Sequence, residues 1–279
     1  MNNRTLRFRF SLLAIPALAG FALMYLYPFA RTLWYSMIDG TYTRQFVLFD
    51  NYRDILENAY FRLALRNTAT FSLIGVCCIV ALSLALSFGL MRLGKRFGFV
   101  KNLLVSPMIL PTASVIFIWQ LVFGADSYRE IALRGEWADL WTILPIFLLY
   151  VWKNTGLNII IISAAIAGVP TEIHDAALLD GCKGFRLHRS VTIPLIAPAL
   201  TFVTVLSFVS AFNNYRESFL FFRTNYPPEA AYTLPYYMSN HFQKLNYPTL
   251  TAASVLFTVV ISVSLWGLYR WESKNAVIY

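Results

Sequence analysis

Charge is what this sequence has least of. Asp, Glu, Lys and Arg make up only 13% of its 279 residues, against about 25% in ordinary soluble domains, while 58% are hydrophobic and the mean hydropathy is +0.56. Cysteine is nearly as scarce. Cys77 and Cys78 lie together in an apolar run and Cys182 stands apart, so neither a CxxC site nor a disulfide framework forms, and all three read as small apolar residues. The three histidines, His174, His188 and His241, are scattered, which excludes an HExxH helix or a comparable metal-ligand spacing. No G-x-x-x-x-G-K-[ST] phosphate loop occurs, and no apolar/polar alternation marks the strands of a membrane barrel.

What is present is a set of long uncharged runs. Residues 11–30, 67–91, 102–125, 190–215 and 245–269 contain no Asp, Glu, Lys or Arg, and 140–171 contains only Lys153. A helix needs roughly 20 apolar residues to cross a bilayer, and helical hydrogen bonding is the way such a run satisfies its backbone in hydrocarbon. The expected fold is an all-α membrane protein of six transmembrane helices, a single domain over 1–279. Tyr25, Tyr27, Trp34, Trp141, Trp266 and Trp271 fall near run ends, as an interfacial belt requires. Arg4, Arg7 and Arg9 precede a run longer than the ~7–15 residues of a signal-peptide core, so an uncleaved first helix is expected.

The net charge of +9 is read as orientation, not as nucleic-acid binding. Twelve basic residues fall on one side of the six spans, among them Arg92, Lys95, Lys183, Arg186 and Arg270, and eight on the other, among them Arg44, Arg62, Arg66 and Arg223. Both termini are therefore expected in the cytoplasm. Pro16, Pro28, Pro107, Pro111 and Pro145 interrupt the runs and should kink them. On the opposite side, 39–66 forms a polar, partly amphipathic segment, and 223–248 a loop rich in proline and aromatics.

The most informative cytoplasmic stretch is GVPTEIHDAALLDGCKGFRLHRSVTIPLIAP, Gly168 to Pro198. Gly168 can close the preceding helix with a left-handed cap and Pro170 stops its continuation. Thr171 as N-cap and Glu172 in the first turn predict a short helix through Asp180, ended by Gly181. Ile173, Ala176 and Ala177 share one face, small enough for another protein to approach closely. A basic piece with Lys183, Arg186, His188 and Arg189 leads to Pro194 and Pro198.

Asp175-Ala176-Ala177, with Gly181 four residues on and Val191-Thr192-Ile193-Pro194 beyond, resembles the EAA loop of bacterial ATP-binding-cassette (ABC) importer permeases, in its carbohydrate version, where Asp180-Gly181 and Pro194 are typical. Asp175 stands where Glu is usual, Val191 and Ile193 where Ile and Leu are usual, and Cys182 where Ala is common. Ile15-Pro16-Ala17, Tyr27-Pro28, Asn51-Tyr52, Leu65-Arg66-Asn67-Thr68 and Pro107 to Pro111 extend the resemblance to permeases of the maltose and glycerol-3-phosphate type. It implies a type I importer permease fold, docking of ATPase subunits on Ile173, Asp175, Ala176, Ala177, Asp180, Gly181 and Pro194, and two ATPases that carry ATP and Mg. It also implies a solute-binding protein outside the cell or in the periplasm, and a bacterial inner membrane. The tail Trp271-Glu272-Ser273-Lys274 lacks the glycine-rich ending common in one of the two permeases of such systems, which points to a heterodimer with a second permease subunit.

Polar residues inside the runs are candidates for a sugar pathway: Asn154 and Asn158 in the fourth, Ser207, Ser210, Asn214 and Tyr215 in the fifth. The same residues could instead bond between helices. Lys153 could pair with Glu217 or extend toward a membrane surface. No cofactor is expected in this chain. An intramembrane enzyme would need paired acids or a metal motif, a secondary transporter would need intramembrane acids in symmetric broken helices, and an importer of peptide, polyamine or phosphate ester remains an alternative.

Overall fold

The computed structural model describes residues 15–40, 43–91, 97–124 and 137–275. Arg4, Arg7, Arg9, Arg92, Lys95, Arg96, Arg129 and Arg134, on which the orientation argument partly rests, lie outside them, as does the start of the first run. The chain divides into two compact units, Met1–Arg62 with Met238–Ile261, and Leu63–Tyr237 with Ser262–Tyr279.

In the first unit, residues 15–35 form helix α1, exposed along nearly its whole length. Its middle widens into a π-helical turn, Ala22–Leu26, with the Tyr27 amide bonded to the Ala22 carbonyl. The cause is Pro28: it has no N–H for the Met24 carbonyl, and the ladder slips by one residue. Beyond α1 an isolated antiparallel bridge pairs Ile38 with Phe46, and helix α2 follows at Asp50–Glu57. Asn51 and Tyr52 hold this hairpin. The Asn51 amide donates to the Ser36 and Ile38 carbonyls at 3.0 and 2.7 Å, and the Tyr52 and Ser36 hydroxyls bond each other at 2.7 Å. Ile38, Ile55 and Phe61 are buried.

The second unit carries most of the bundle. Its helices are α3, Ala59–Met91, which begins in the first unit, then α4, Phe97–Ile109, α5, Thr112–Phe123, and α6, Ala138–Ala167. Helix α7, Thr171–Leu179, is followed by α8, Ala197–Asn213, α9, Tyr215–Phe222, and α10, Leu234–Gln243. Helix α11, Tyr247–Asn275, closes the order; α10 from Met238 on and α11 as far as Ile261 belong to the first unit. Among the described residues four stretches are long and apolar enough to cross a membrane: α3, α6, α8 continued by α9, and α11 over Tyr247–Gly267; α4 and α5 supply a fifth as a pair bent by 94°. The bend sits at Leu110-Pro111. Proline at 111 pushes Leu110 out of the helical region, and Pro111, extended at ψ 127°, caps α5.

Half of the most apolar window of α6 is buried by protein, against 11% in α11, so α6 is the axis of this unit. Two glycines set how closely its neighbours approach. A Cβ at Gly156 would fall onto the Leu104 carbonyl of α4 and within 2.9 Å of the Val105 Cα, and one at Gly75 on α3 would meet the Tyr150 ring at 3.0 Å. Among the described residues three buried clusters pack on α6: Ile162, Ile166, Ile196 and Val203 at one end, Tyr150 with Ile79 and Ala211, and Leu149 with Val115 and Ile116 of α5.

Because backbone cannot yield as a flexible side-chain end can, Gly156→Ala is expected to cost about 1–3 kcal/mol or more, whereas Gly89→Ala, where the added methyl meets nothing within 4 Å, should cost little. Thermal unfolding of the two variants in detergent measures the difference. Equal midpoints would show that α4 and α6 are not packed at Gly156.

Candidate functional site

The connection between α6 and α8 is built by its punctuation. Gly168 does not take the left-handed cap expected of it. At φ −79° and ψ −10° it bonds back to the Ala164 and Ala165 carbonyls, and Val169 bonds to Ile166, so α6 ends in a tightened turn that Pro170 cannot extend. Thr171 is likewise the first helical residue and not the cap; Pro170, extended at ψ 136°, holds the cap position and no side-chain oxygen serves there. Helix α7 therefore runs from Thr171 to Leu179, with Asp180 as its C-cap.

Its end follows the expectation from Gly181 closely. Gly181 has φ +79°, its amide bonds to the Leu178 carbonyl at 3.1 Å, and the Cys182 amide reaches the Ala177 carbonyl at 2.9 Å. These two bonds make a Schellman motif, which puts its residue after the cap in the left-handed region where glycine is favoured. Gly184 supplies a second such turn, φ +58° and ψ −130°, before the short helix Phe185–Leu187. Gly184 carried no expectation, although its spacing from Gly181 is visible in the sequence. Pro194 leaves the Ser190 carbonyl without its helical donor, and a π-helical turn, His188–Thr192, absorbs the mismatch.

On α7 itself, Asp175, Ala176 and Asp180 are exposed, while Ile173 and Ala177 are half-covered by their own chain. His174 turns inward, its Nε2 lying 3.2 Å from the Thr192 Oγ1. The outward surface adds apolar residues that the sequence reading passed over: Leu179 is 90% and Phe185 76% exposed. Pro194 is exposed nearby in sequence.

The polar residues of α6 and α8 divide by partner. The Asn158 amide donates to the Ser207 Oγ at 2.8 Å and the Tyr150 hydroxyl to the Ser207 carbonyl at 2.7 Å, both buried, so Asn158 and Ser207 join the two helices. Asn154 donates to the Tyr150 carbonyl of its own helix. Asn214 and Tyr215 sit at the break between α8 and α9 and line a small cavity of about 20 Å³, mostly apolar, into which Thr68, Ser72 and Ser218 also face. The Tyr215 ring meets that of Tyr236 edge-on at 4.8 Å, and burial pushes the Tyr236 hydroxyl well above its ordinary value, which keeps it protonated. Ser210 is half-buried on the same helix.

Lys153 pairs with Glu217. The Nζ is 2.8 Å from the Glu217 Oε1 and 3.2 Å from the Thr112 Oγ1, with both charged side chains 15% exposed. Thr112 is the first residue of α5 and Glu217 stands in the first turn of α9, so one ammonium joins the starts of two half-helices to α6. Gln120 closes the other end of α9: its amide donates to the Leu220 and Phe221 carbonyls at 3.1 and 2.8 Å, and its oxygen accepts from Arg223 at 2.9 Å. Arg223, at φ +53°, is the left-handed cap of α9. Asn67 and Thr68, quoted above only for their resemblance, fasten the segment before α10 to α3. The Asn67 amide donates to the Glu229 and Tyr232 carbonyls at 2.6 and 2.9 Å, and the Thr68 hydroxyl accepts the Leu234 amide at 2.8 Å.

Residues 79–275 match the family model described as "Binding-protein-dependent transport system inner membrane component". The lactose transport system permease protein LacF of Rhizobium radiobacter is 25% identical over 95% of this chain and 93% of its own length. The arabinooligosaccharides transport system permease protein AraP of Bacillus subtilis is 27% identical over 92% and 86%. Among solved structures, a chain of a bacterial ABC transporter involved in the import of the acidic polysaccharide alginate superposes with TM-score 0.79 at 17% identity, covering 97% of this chain and 98% of that one, which supports the fold.

Removing one partner of the Lys153–Glu217 pair strands a charge among helices. Lys153→Met should destabilise the protein by about 3–5 kcal/mol, and Lys153→Met with Glu217→Leu should recover most of that loss. Thermal melts of the single and double variants read the cycle; a double variant no better than the single would mean that the two side chains do not act as a pair.

Proposed function

Because this chain belongs to the family of inner membrane components of binding-protein-dependent transport systems, and is thus a permease and not an enzyme, we propose that its cargo is a sugar or oligosaccharide. The curated relatives support this cargo, since LacF and AraP are named for lactose and arabinooligosaccharides. Charge supports it too. Permeases named for sn-glycerol-3-phosphate are also similar, 28% identical over 72% of this chain, but Lys153, the ammonium on α6 next to Asn154, is already matched by Glu217 and offers no free charge to an anionic cargo there. Asn154, Ser210, Asn214 and Tyr215 offer hydroxyl and amide groups suited to an uncharged solute, with Asn158 and Ser207 holding α6 and α8 behind them.

The chain works within an assembly: a second permease, two ATPase subunits that bind ATP and Mg, and an external solute-binding protein. Six spans with both termini in the cytoplasm fit the basic residues, with α1 the first span and the bent α4–α5 pair the third. Helix α7 is the ATPase-docking element. The single observation behind this is its construction: a nine-residue helix with Ala176 and Leu179 exposed, stopped by the left-handed Gly181 and followed by the exposed Phe185. An exposed apolar surface on a short, sharply ended helix suits a groove in a partner. Movement of the ATPases would carry α7 as a rigid body and with it α6 and α8.

Gly181→Val tests the docking role, because a β-branched residue resists φ +79°. The variant is expected to reach the membrane and keep its binding protein, yet to lose most sugar-stimulated ATPase activity in reconstituted vesicles. Full stimulation in that variant would refute the lever. For the cargo, ATPase activity of the complete complex with a candidate binding protein should rise with a neutral oligosaccharide and not with glycerol-3-phosphate; the reverse would reassign it.

A further inference from the structure

A second cavity, far larger than the one at Asn214, opens between α3, α6 and the short helix Glu229–Ala231. It encloses about 520 Å³, within the range of about 300–1,000 Å³ typical of small-ligand sites. Its walls are apolar, with Phe71 and Ile74 from α3 facing Ile143, Leu144 and Phe147 from α6; Phe71 and Phe147 meet edge-on at 6.1 Å. Its rim is charged. Arg66 comes from α3, Asp139 from the first turn of α6, and Glu229 from the segment that Asn67 fastens to α3.

Among the described residues, none of these three side chains makes an ion pair: Arg66, Asp139 and Glu229 all border one cavity, yet none is matched to another or to a neighbour. Exposed charges of both signs lining one apolar slot, near the start of two membrane-spanning helices, suit a ligand with a long apolar part and a headgroup of both signs. A purely anionic headgroup would meet two carboxylates against one guanidinium. A quaternary ammonium could not donate hydrogen bonds to those carboxylates and is better held by an aromatic cage, which the rim lacks.

We propose that this cavity binds one phospholipid with a phosphoethanolamine headgroup, its phosphate on Arg66, its primary ammonium on Asp139 and Glu229, and an acyl chain between Phe71, Ile74, Ile143 and Phe147. Arg66 can take the phosphate through two parallel N–H donors, and the ammonium supplies a donor to each carboxylate. The lipid would fill the groove between α3 and α6 and lie against the Glu229–Ala231 segment. The site is separate from the α7 surface and needs only a bilayer around the chain, whatever the cargo.

Native mass spectrometry of the complete transporter, purified in mild detergent from membranes holding phosphatidylethanolamine and phosphatidylglycerol, provides the test. One phosphatidylethanolamine per copy of this chain is expected to survive stepwise delipidation. In nanodiscs, its exchange for a phosphatidylcholine or phosphatidylglycerol probe should be weaker by about tenfold or more. Arg66→Gln and, separately, Asp139→Asn with Glu229→Gln should abolish retention while the complex still carries its ATPases, which shows that the variants fold. Equal retention of phosphatidylglycerol, retention unchanged in both variants, or an image of the complex with a helix of the second permease filling the cavity would each overturn the proposal.

Discussion

The bundle depends on one ammonium group. Lys153 is held by Glu217 and Thr112 where two helical breaks come together, the 94° bend before α5 and the interruption at Asn214 before α9. Each break exposes backbone that hydrocarbon cannot solvate, so each must be closed by side chains. The ion pair ties the starts of α5 and α9 to α6 through side-chain atoms alone, whereas Gln120 takes up backbone at the far end of α9, the Leu220 and Phe221 carbonyls. A further donor, the Trp119 indole, takes the Pro145 carbonyl at 2.8 Å beside the proline in the interior of α6. Glu217 in the first turn of α9 also gains from the positive end of that helix.

Proline and glycine then act as complementary instruments. Proline removes one backbone donor, and at three of the prolines the backbone answers in two ways: a π-helical turn before Pro28 and before Pro194, and a sharp bend at Pro111. Glycine is spent where another backbone must come close, at Gly156 against Leu104, or where φ must be positive, at Gly181 and Gly184. Leu245 shows the contrast. After α10 the Asn246 amide bonds to the His241 carbonyl at 2.9 Å and the Leu245 amide to that of Phe242 at 3.0 Å, the same Schellman pattern as at Gly181, yet an exposed leucine holds φ +56°. Backbone bonds alone sustain that turn against the preference of the side chain.

Those local rules explain what could be read from the sequence. Five of the six uncharged runs coincide with helices or a bent pair able to cross a membrane, and the first coincides with α1 over its described part. Helix α7 was legible to within a residue because Pro170 and Gly181 bound it covalently. What stayed hidden were facts of partnership. Nothing in the spacing of Asn158 and Ser207 says that they face each other, and nothing near Gln120 announces that its amide closes a helix a hundred residues away. Asn51, Asn67 and Thr68 stood out only as part of a resemblance; their work as clasps on the segments between helices needs the carbonyls of Ser36, Ile38, Glu229 and Tyr232 to be placed. Where the sequence misled, at Gly168 and Thr171, a single proline fixed the geometry before the residue beside it could express its preference.

The same partnerships decide how a push on α7 can travel. A helix of nine residues joined by flexible loops would swing freely and transmit nothing. Here α7 leaves α6 through a tightened turn of three residues, Gly168 to Pro170, so one end has little slack. At the other, the His174–Thr192 contact ties its inner face to the π-helical turn that leads into α8, and the His188 ring lies 4.2 Å from that of Phe88 on α3. Displacing α7 must therefore either break these contacts or carry the starts of α8 and the ends of α3 and α6 along with it. Packed interiors shift as units because partial separation forfeits contacts on every side. Moving α8 would then load its joint with α9 at Asn214, which lines the small cavity and precedes Glu217 of the Lys153 pair. On the proposed docking role of α7, the punctuation that ends α7 and the Lys153–Glu217 pair would lie on one path, with Gly181 at its outer end and Lys153 at its inner one.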